Sequence, residues 1–468
     1  MKLPNPSLYT DFYELTMAEG YFLSGRHQQT ASFDYFFRKL PFEGGYVIYA
    51  GLGDLLEIIE EFTFSESDLN YLKEQGFKDE FLKYLSTFKF QGDIYSVKEG
   101  EIVFPNETVL RVEGTIVEAQ IIETALLNFL NFESLIATKA SRIKQSAEAR
   151  TVLDFGLRRS QGTGGLQASK AAIIGGLEGS SNVLAGQMYG IPVSGTMAHS
   201  WVQSFEDEIT AFRTFVKHFP DSSVLLVDTY DTLKSGIPNA IQIGKELEAA
   251  GNQLKAIRLD SGDLAYFAKK SRELLDTAGL DYVKIVASNQ LDEHVIKSLI
   301  HQGAPIDMFG VGTKLVTAYD NPALDGVYKL SSFQGESTLK VSENVEKITL
   351  PGIKRTVRFL HKDGSFRADG ILLEDDSEVS HIYHPHYPSK HLDVSECAYE
   401  ELLHQFVEEG RLIKKKPTVS ESAHYAKTRF MKLKEEHRRF NNPHVYKVGI
   451  SKKLQKLRNQ LIQNLKQS

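Results

Sequence analysis

The sequence of 468 residues contains a single cysteine, Cys397, and no excess of basic residues. One cysteine excludes an intramolecular disulfide and is typical of a protein in a reducing compartment. The formal net charge is −7, from 54 Lys and Arg against 61 Asp and Glu. This balance argues against nucleic acid as the main partner, because proteins that follow a phosphate backbone are usually basic. The net charge does not exclude small anionic ligands, because binding them needs only local positive charge.

Long apolar runs are also missing from the sequence. No uninterrupted apolar stretch is long enough to span a bilayer. The segment Met1 to Gly20 is polar and acidic, where a signal peptide would be basic and then apolar. We therefore expect a cytoplasmic protein with no membrane partner. Ordinary globular values of 41% hydrophobic and 25% charged residues, together with the length, predict two or three folded domains.

The middle third of the chain alternates short apolar runs with longer stretches of helical spacing. The apolar runs are Thr151–Phe155, Ile191–Gly195, Ser223–Val227, Leu254–Leu259, Val283–Ala287 and Ile306–Gly310. The predicted helices between them include Gly236–Ala250, Leu264–Ala278 and Leu291–His301. Short strands buried on both faces and separated by helices indicate parallel β–α units. Because fewer units are visible than in a standard eight-fold barrel, we predict an irregular, incomplete, TIM-like β/α barrel.

The two flanks of the chain have a different pattern. In the N-terminal flank, strand-like segments surround the predicted helix Leu52–Phe62. These segments are Ala31–Phe37, Tyr46–Ala50, Ile94–Lys98 and Val109–Val112. Short strands follow from Val327 to Leu373, with turns at Pro351–Gly352 and Asp363–Gly364. We predict an α+β domain at 1–118, a barrel domain at 119–326 and a β then helical region at 327–468. The first domain is expected to share its sheet with 327–375, so that both chain ends form it.

The end of the chain is predicted to be helical after Ser395. Its last segment has an apolar stripe at helical spacing, formed by Ile450, Leu454, Leu457, Leu461 and Leu465. We expect this stripe to pack on the protein itself and the interleaved basic residues to form a solvated face.

Polar or glycine-rich sequence follows nearly every predicted central strand. In parallel β/α folds, ligands bind at the carboxyl ends of the strands. The segments found there are Asp154–Arg159, Gly195–Ser200, Asp228–Asp231, Arg258–Asp263, Ser288–Asn289 and Gly310–Lys314. One such segment is weak evidence, but several that converge on one edge indicate a ligand site.

The segment from Arg258 to Asp263 has the residue types of a phosphate or carboxylate site. The Arg258 fork can hold either group with two hydrogen bonds, and Ser261 and Gly262 allow backbone N–H groups to approach phosphate oxygens. Asp260 and Asp263 would repel a bare polyphosphate, so a bridging Mg²⁺ or ribose hydroxyls are their expected partners. Helix capping is the alternative role for Ser261 or Asp263, but it leaves Arg258 unexplained.

Three other strand ends allow both a functional and a structural interpretation. The glycines and hydroxyl of Gly310–Thr313 are typical of a phosphate-binding turn, and an ordinary tight turn fits them as well. Arg158 and Arg159 place two positive charges beside the glycine-rich loop Gly162–Gly165, and surface salt bridging is the alternative for this pair. His199 precedes the helical stretch Trp201–Phe219, where a phosphate on its imidazole would be stabilised electrostatically. A lone histidine is more often a structural group.

With these motifs assembled, the chain resembles the nicotinate phosphoribosyltransferase family essentially from end to end. The matching segments are Thr10–Ala18, Asp154–Gly165, Ser180–Gly186, Gly195–Ser200, Leu226–Tyr230, Arg258–Asp263, Gly310–Thr313 and Gly326–Leu330. The resemblance implies that nicotinate and phosphoribosyl pyrophosphate (PRPP) give nicotinate mononucleotide and pyrophosphate, with Mg²⁺ as cofactor and ATP as co-substrate hydrolysed alongside. It also implies a homodimer whose active sites are completed across the interface.

The resemblance further implies roles for single residues. Arg258 and Thr196 would contact nicotinate, and Tyr13 would stack on its ring from the neighbouring subunit. ATP would phosphorylate His199, and Thr313 would hold the 5′-phosphate.

The acidic residues belong to the other end of the substrate by the same resemblance. Asp228 and Asp260 would lie at the ribose and Mg²⁺-pyrophosphate end, with Asp260 and Asp263 as candidates for contact with Mg²⁺. The remaining predicted substrate contacts are Phe155, Arg158, Ser261, Gly262, Asp263 and Gly312.

Two alternatives remain beside this interpretation. Nicotinamide phosphoribosyltransferase has the same architecture, but that family carries an aspartate in the stretch matching Ser180–Asn182, where this chain has no acid. A carboxylate there would repel nicotinate, so its absence favours the acid substrate, and an Asp at 181 or 182 is expected to erode the preference. The second alternative is a non-catalytic metabolite sensor on the same scaffold. The joint presence of His199, Asp228, Arg258 and Asp260 argues against it.

Overall fold

The computed structural model of the chain describes residues 6–343, 347–377, 379–387 and 389–467. The chain divides into two compact units. The terminal unit contains residues 1–138 and 323–468, and the central unit contains residues 139–322. No helix in the described part of the chain is long and apolar enough to cross a membrane.

Strands and helices are numbered here in chain order through both units. The strands are β1 (Thr30–Phe37), β2 (Val47–Ile48), β3 (Asp93–Ser96), β4 (Ile102–Val103), β5 (Leu110–Thr115), β6 (Thr151–Asp154), β7 (Gly179–Ser180), β8 (Val224–Leu226), β9 (Ala256–Leu259), β10 (Lys284–Ser288), β11 (Met308–Val311), β12 (Gly326–Phe333), β13 (Glu336–Ser337), β14 (Lys354–Leu360), β15 (Phe366–Leu373), β16 (His381–Tyr383), β17 (His391–Asp393), β18 (Tyr399–Glu401), β19 (His404–Glu408), β20 (Arg411–Leu412) and β21 (Val448–Ile450). The helices are α1 (Phe12–Leu23), α2 (Leu52–Glu60), α3 (Glu66–Glu74), α4 (Asp79–Leu85), α5 (Ile116–Ile121), α6 (Glu123–Ala147), α7 (Gly164–Ile174), α8 (Val183–Tyr189), α9 (His199–Gln203), α10 (Glu208–His218), α11 (Ile237–Ala249), α12 (Leu264–Thr277), α13 (Glu293–His301), α14 (Thr313–Val316), α15 (Val419–Lys432), α16 (Glu435–Arg438) and α17 (Lys452–Gln467).

One sheet of the terminal unit joins the two ends of the chain. Its strand order is β13-β12-β1-β5-β3-β19-β20, and β1 pairs antiparallel with both β12 and β5. Strand β19, from the last third of the chain, pairs with β3 near the other edge. The predicted α+β domain formed from both chain ends is therefore confirmed.

A second sheet of the terminal unit contains strands from the C-terminal third, in the order β17-β16-β21-β15-β14-β18. Of the range 327–375 that was predicted to share the first sheet, β12 and β13 do join it, whereas residues 354–373 form the β14–β15 hairpin of the second sheet. The hairpin turns at Gly364, whose φ of +79° favours glycine. Val357, Phe359 and Leu372 then bury one face in a separate hydrophobic cluster, which explains why the hairpin needs its own sheet.

The predicted helix after Ser395 is wrong as far as Leu412, because β18, β19 and β20 come before α15. Phe406 and Val407 in β19 are buried, and cross-strand packing against β3 outweighs the weak helical spacing of this segment. The final helix begins at Lys452, which leaves Ile450 in β21.

The apolar stripe of the final helix packs on the terminal unit only at its beginning. Leu454 is buried with Ile371, Leu373 and Ile450, and Leu457 packs against the same cluster. Leu465 is 54% exposed, so the expected packing is confirmed for the first turns and is wrong for this residue.

The central unit contains a parallel sheet in the order β7-β6-β11-β10-β9-β8. Strands β6, β8, β9, β10 and β11 coincide with predicted apolar runs, so the predicted parallel β–α architecture is confirmed. The edge strands are β7 and β8, and the strands of the described chain form an open sheet without barrel closure.

Two predicted elements of the central unit are wrong. Ile191–Gly195 makes only a single parallel bridge, between Val193 and Ser180, because Pro192 has no N–H for a ladder. The strand at this edge is β7, which is too short and too polar to be recognised from its pattern. The predicted helix Trp201–Phe219 is broken between α9 and α10, where the Asp207 side chain caps α10 by accepting from the Thr210 N–H.

Candidate active site

The carboxyl ends of the central strands surround a cavity of about 460 Å³. The cavity is lined by eight of the predicted site residues, namely Phe155, Arg158, Thr196, His199, Arg258, Asp260, Gly312 and Thr313. Four others, Asp228, Ser261, Gly262 and Asp263, lie on the loops that follow β8 and β9 and do not line it. Tyr13 belongs to the terminal unit.

Arg258 is held in one orientation by three neighbours. Its Nε donates to Ser288 Oγ over 2.8 Å, its Nη1 to Thr196 Oγ1 over 3.1 Å, and its Nη2 to Asp260 Oδ1 over 2.8 Å. Among the residues that the structure describes, one N–H on each terminal nitrogen has no acceptor and stays available. The side chain is only 12% exposed, and its carbon Cζ lies 5.5 Å from the centre of the Phe155 ring. Arg258 is therefore a fixed, largely desolvated cation with hydrogen-bonding capacity left for an anion.

Phe155 reaches its place beside Arg258 because glycine occupies position 310. A Cβ at Gly310 would come within 2.4 Å of the Phe155 ring. Phe155 is also tied to β11 by its backbone N–H, which donates to Val311 O over 2.8 Å. The glycines of the Gly310–Thr313 segment thus have a packing role beside the predicted phosphate-binding one.

Asp228 and Asp260 are linked through the loop that follows β9. Asp228 Oδ2 accepts from the Asp260 N–H over 2.8 Å and from Ser261 Oγ over 2.7 Å. Asp228 Oδ1 is buried and has no hydrogen-bond partner among the described residues. Such an orphaned carboxylate oxygen is expected to meet a ligand hydroxyl, a water or a cation.

His199 is the first residue of α9 and its side chain is 41% exposed. Its Nδ1 lies 3.1 Å from Thr229 Oγ1, and its Nε2 lies 3.9 Å from Asp260 Oδ2. If Nδ1 donates its proton to Thr229, Nε2 keeps a lone pair that faces the cavity. This arrangement suits a nitrogen nucleophile.

Arg158 and Arg159 are exposed at the cavity wall. Within the described ranges neither forms an ion pair, so the surface salt bridge considered for this pair is not present. Thr313 begins the short helix α14 on the same wall. The wall therefore presents cations and a hydroxyl to any anion in the cavity.

The loop after β9 contains structural caps as well as predicted ligand contacts. Asp263 is the N-cap of α12, and its side chain accepts from the Tyr266 N–H over 3.0 Å. Gly262 has a φ of +73°, which a side chain rarely adopts. The capping role considered for Asp263 is thus present, while Ser261 bonds to Asp228.

The stretch Ser180–Asn182 contains one residue that lines the cavity, Ser181. Ser180 is buried and donates to Asp154 Oδ2 over 2.7 Å. Asn182 is the buried N-cap of α8, and its Nδ2 donates to Gly165 O and to Ser169 Oγ over 3.2 Å. Only position 181 can therefore present a new side chain directly to a ligand.

Tyr13 lies on α1 of the terminal unit and is 46% exposed. Burial of its hydroxyl, followed by the nearby Glu123 carboxylate, raises the pKa of Tyr13 above its usual range. The next residue, Glu14, is fully buried and accepts a hydrogen bond from Thr124 Oγ1 over 2.6 Å. Burial raises the pKa of Glu14 to about 7.

Two site residues were named in the sequence only as part of strand-end segments and were given no role. Ser288 bonds both Arg258 and Asp260, and Thr229 contacts His199. Ser288 is the first residue after the apolar run Val283–Ala287 and Thr229 is the second residue after Ser223–Val227, and this position was the signal that could have found them.

The carboxylates fit a magnesium ion that is shared with a phosphate ligand. Mg²⁺ in such sites is usually bound by one or two carboxylates plus substrate phosphates. Asp228 Oδ1 is an orphaned oxygen, and Asp260 lines the cavity. In the described chain no group of three or more His, Cys, Asp or Glu residues forms a protein-only metal cage.

The fold and the site together define a phosphoribosyltransferase. A fixed arginine, exposed arginines and carboxylates lie at the carboxyl ends of a parallel sheet. Family models describe the same chain in three parts. The N-terminal domain of nicotinate phosphoribosyltransferase matches residues 8–131, the nicotinate phosphoribosyltransferase family model matches 151–362, and its C-terminal domain matches 353–458.

Individual relatives agree with the family models. The chain is 44% identical over 460 residues to nicotinate phosphoribosyltransferase of Bacillus subtilis, covering 95% of this chain and 93% of the relative. It is 37% identical over 514 residues to the Caenorhabditis elegans enzyme, covering 96% and 92%. The crystal structure of human nicotinic acid phosphoribosyltransferase matches with a TM-score of 0.85 and 30% identity, over 97% of this chain and 99% of that one. The chain belongs to the nicotinate phosphoribosyltransferase family.

Proposed function

We propose that the protein transfers the phosphoribosyl group of PRPP to the ring nitrogen of nicotinate, which forms nicotinate mononucleotide for NAD synthesis in the cytosol. The ring nitrogen attacks C1 of the ribose, and the bond from C1 to the pyrophosphate oxygen breaks with its electron pair leaving on pyrophosphate. The observation that carries this proposal is the fixed, desolvated Arg258 in a cavity where no acid stands at Ser180–Asn182.

Nicotinate recognition rests on charge in this proposal. The remaining N–H donors of Arg258 bind the carboxylate, and Thr196 holds the guanidinium toward it. Phe155 provides an aromatic face beside Arg258. Nicotinamide, which shares the ring but lacks the charge, leaves these donors unpaired, so the site favours the acid.

The phosphate end of the site carries the opposite chemistry. As the bond to C1 breaks, positive charge grows on the ribose and negative charge on the leaving pyrophosphate. Arg158 is free to stabilise the phosphates, and Thr313 with the Gly312 backbone is proposed to hold the 5′-phosphate. Asp228 and Asp260 would hold Mg²⁺, which neutralises phosphate charge when bound.

We also propose that ATP phosphorylates His199 and that this step drives the synthesis of the mononucleotide. The Nε2 nitrogen attacks the γ-phosphorus, ADP leaves with the electron pair of the broken bond, and water later releases phosphate from the histidine. The exposed imidazole, with Nδ1 directed at Thr229, supports this role.

A homodimer completes the proposed site. Tyr13 is a large aromatic side chain that is 46% exposed on α1, and it is proposed to stack on the nicotinate ring from the partner subunit. Phe12 and Met17 on the same helix are also exposed, which favours a covered surface here.

Incubation with nicotinate, PRPP and Mg²⁺, with and without ATP, tests the proposal when products are read by mass spectrometry. We expect nicotinate mononucleotide and pyrophosphate, with more product and ADP when ATP is present. In a parallel incubation with equal concentrations of nicotinate and nicotinamide, nicotinamide mononucleotide as the main product would indicate the related nicotinamide enzyme. Ligand binding without any product would indicate a metabolite sensor.

A further inference from the structure

Ser288 connects the two most important charged groups of the cavity without being charged itself. It ends β10 and is 2% exposed. Its Oγ accepts from Arg258 Nε over 2.8 Å and donates to Asp260 Oδ1. The strand register explains the contact, because Ala287 pairs with Leu259 and the next residues in β10 and after β9 are Ser288 and Asp260.

The three side chains form a closed ring of hydrogen bonds. Arg258 Nη2 also donates to Asp260 Oδ1, over 2.8 Å. This one oxygen therefore accepts two hydrogen bonds, one from the Ser288 hydroxyl and one from the guanidinium. Because Arg258 Nε donates to Ser288 Oγ, it does not bond the carboxylate of Asp260. The second oxygen, Asp260 Oδ2, is left on the side of His199 Nε2, 3.9 Å away.

An arginine and a carboxylate in contact normally prefer a side-on pair with two parallel N–H to oxygen bonds. Such a pair between Arg258 and Asp260 would use Nε with Nη2 and both carboxylate oxygens. It would turn Asp260 Oδ2 away from His199 and tilt the guanidinium away from its bond to Thr196. The observed ring avoids this collapse because the Ser288 hydroxyl occupies Nε.

We propose that Ser288 is a positioning residue that keeps Arg258 and Asp260 from forming a side-on ion pair. This inference rests on the proposed function, in which Arg258 binds nicotinate and His199 takes a phosphoryl group. Ser288 thereby couples the nicotinate end of the cavity to the phosphoryl end.

The test compares Ser288→Ala with Ser288→Thr and with a matched control, all in the full-length protein. Ser271→Ala is the control, because Ser271 is fully buried on α12 and its hydroxyl has no hydrogen-bond partner in the part of the chain that is described. The measurements are the KM for nicotinate, the KM for PRPP, the rate of labelling of the protein by γ-labelled ATP, and the melting temperature.

Ser288→Ala is expected to raise the nicotinate KM and to slow labelling, each by about tenfold, because a bond to a charged group is lost at both ends. The KM for PRPP is expected to rise less than the KM for nicotinate, because Asp260 is proposed to share the Mg²⁺ with Asp228 and the substrate phosphates. Ser288→Thr keeps a hydroxyl and is expected to stay near wild type, as is Ser271→Ala.

Nicotinate KM and labelling rate at wild-type values in Ser288→Ala would overturn the inference. A lower melting temperature with equal losses for nicotinate and PRPP would also overturn it, since that pattern indicates a purely structural role. The same loss in Ser288→Thr as in Ser288→Ala would show that the hydroxyl is not responsible. Failure of the proposed function appears instead in the wild type, as an absence of nicotinate turnover or of labelling.

Discussion

Asp260 Oδ2 lies 3.9 Å from His199 Nε2, while the other oxygen of the same carboxylate accepts from Arg258 Nη2 over 2.8 Å. One side chain therefore contacts the cation proposed to bind nicotinate and also faces the imidazole proposed to receive phosphate. Because the two ends share this carboxylate, substitutions at one end are expected to affect the other.

His199→Asn is expected to abolish the stimulation by ATP and to leave the fold intact. The imidazole is half-exposed, so the smaller asparagine side chain can take its place without leaving a buried cavity. Wild-type protein incubated with γ-labelled ATP should carry an acid-labile label that is missing from the variant. His218→Asn, at an exposed position on α10, is the control. Equal labelling of His199→Asn and wild type would disprove the assignment.

Arg258→Ala is expected to weaken nicotinate more than any other single substitution at the cavity. Removing one partner of a desolvated, charged hydrogen-bonded pair costs on the order of 2–5 kcal/mol, so the nicotinate KM should rise by roughly tenfold or more. Steady-state kinetics with each substrate varied in turn provide the measurement. Arg213→Ala, which breaks a surface pair with Glu246, controls for loss of a positive charge. Unchanged nicotinate kinetics with a collapse of PRPP binding would assign Arg258 to the phosphates.

Ser181→Asp is expected to reverse part of the preference for nicotinate over nicotinamide. The new carboxylate would face the cavity, repel nicotinate and accept a hydrogen bond from an amide. We expect kcat/KM for nicotinate to fall by roughly tenfold or more, while the weak nicotinamide activity is kept or raised. An unchanged ratio of kcat/KM for the two substrates would place selectivity elsewhere.

Asn182→Asp is expected to behave differently, although the sequence alone made positions 181 and 182 equivalent. Its amide group donates to Gly165 O and to Ser169 Oγ, and aspartate cannot replace these bonds. The loss of stability should be about 1–3 kcal/mol, because buried acceptors lose their donor. Denaturant unfolding measures the loss, and a shifted substrate ratio with unchanged stability would contradict this account.

Glu14→Gln is expected to change how stability depends on pH. Burial raises the pKa of Glu14 to about 7 from its ordinary value of 4.5, so the folded chain keeps a proton that the unfolded chain releases. Its contribution to stability is complete below about pH 4.5 and is lost as the pH rises to about 7, with a slope of about 1.4 kcal/mol per pH unit. Glutamine cannot ionise, so the variant should gain stability relative to wild type across this window. A difference that does not vary with pH would refute the prediction.

Much of the central sheet was predictable because its strands are short apolar runs between helices. Strands β6 and β9 to β11 are recognisable in this way, since burial on both faces selects β-branched side chains. Strand β7 is only Gly179–Ser180 and carries no such signal. The apolar run at Ile191–Gly195 was misleading, because its single proline removes a ladder donor.

The site was predictable only as far as strand ends reveal it. Arg258 lies near the end of an apolar run, Asp260 and His199 follow apolar runs, and parallel strands bring their ends to one edge. The roles of Ser288 and Thr229 depend on which side chains meet across neighbouring strands, and the sequence does not fix this register. The same limit applies to Asn182, whose capping role becomes clear only when α8 is in place.

The decisive measurement is the ratio of kcat/KM for nicotinate to that for nicotinamide, taken on the wild type with PRPP, Mg²⁺ and ATP. The two substrates differ only in that nicotinate has a carboxylate where nicotinamide has an amide. The ratio therefore shows whether Arg258 selects the substrate by its charge. We expect a ratio of roughly tenfold to a hundredfold in favour of nicotinate, because polar groups of the site stay unpaired when nicotinamide is bound. Equal use of both substrates, or a preference for nicotinamide, would contradict the account.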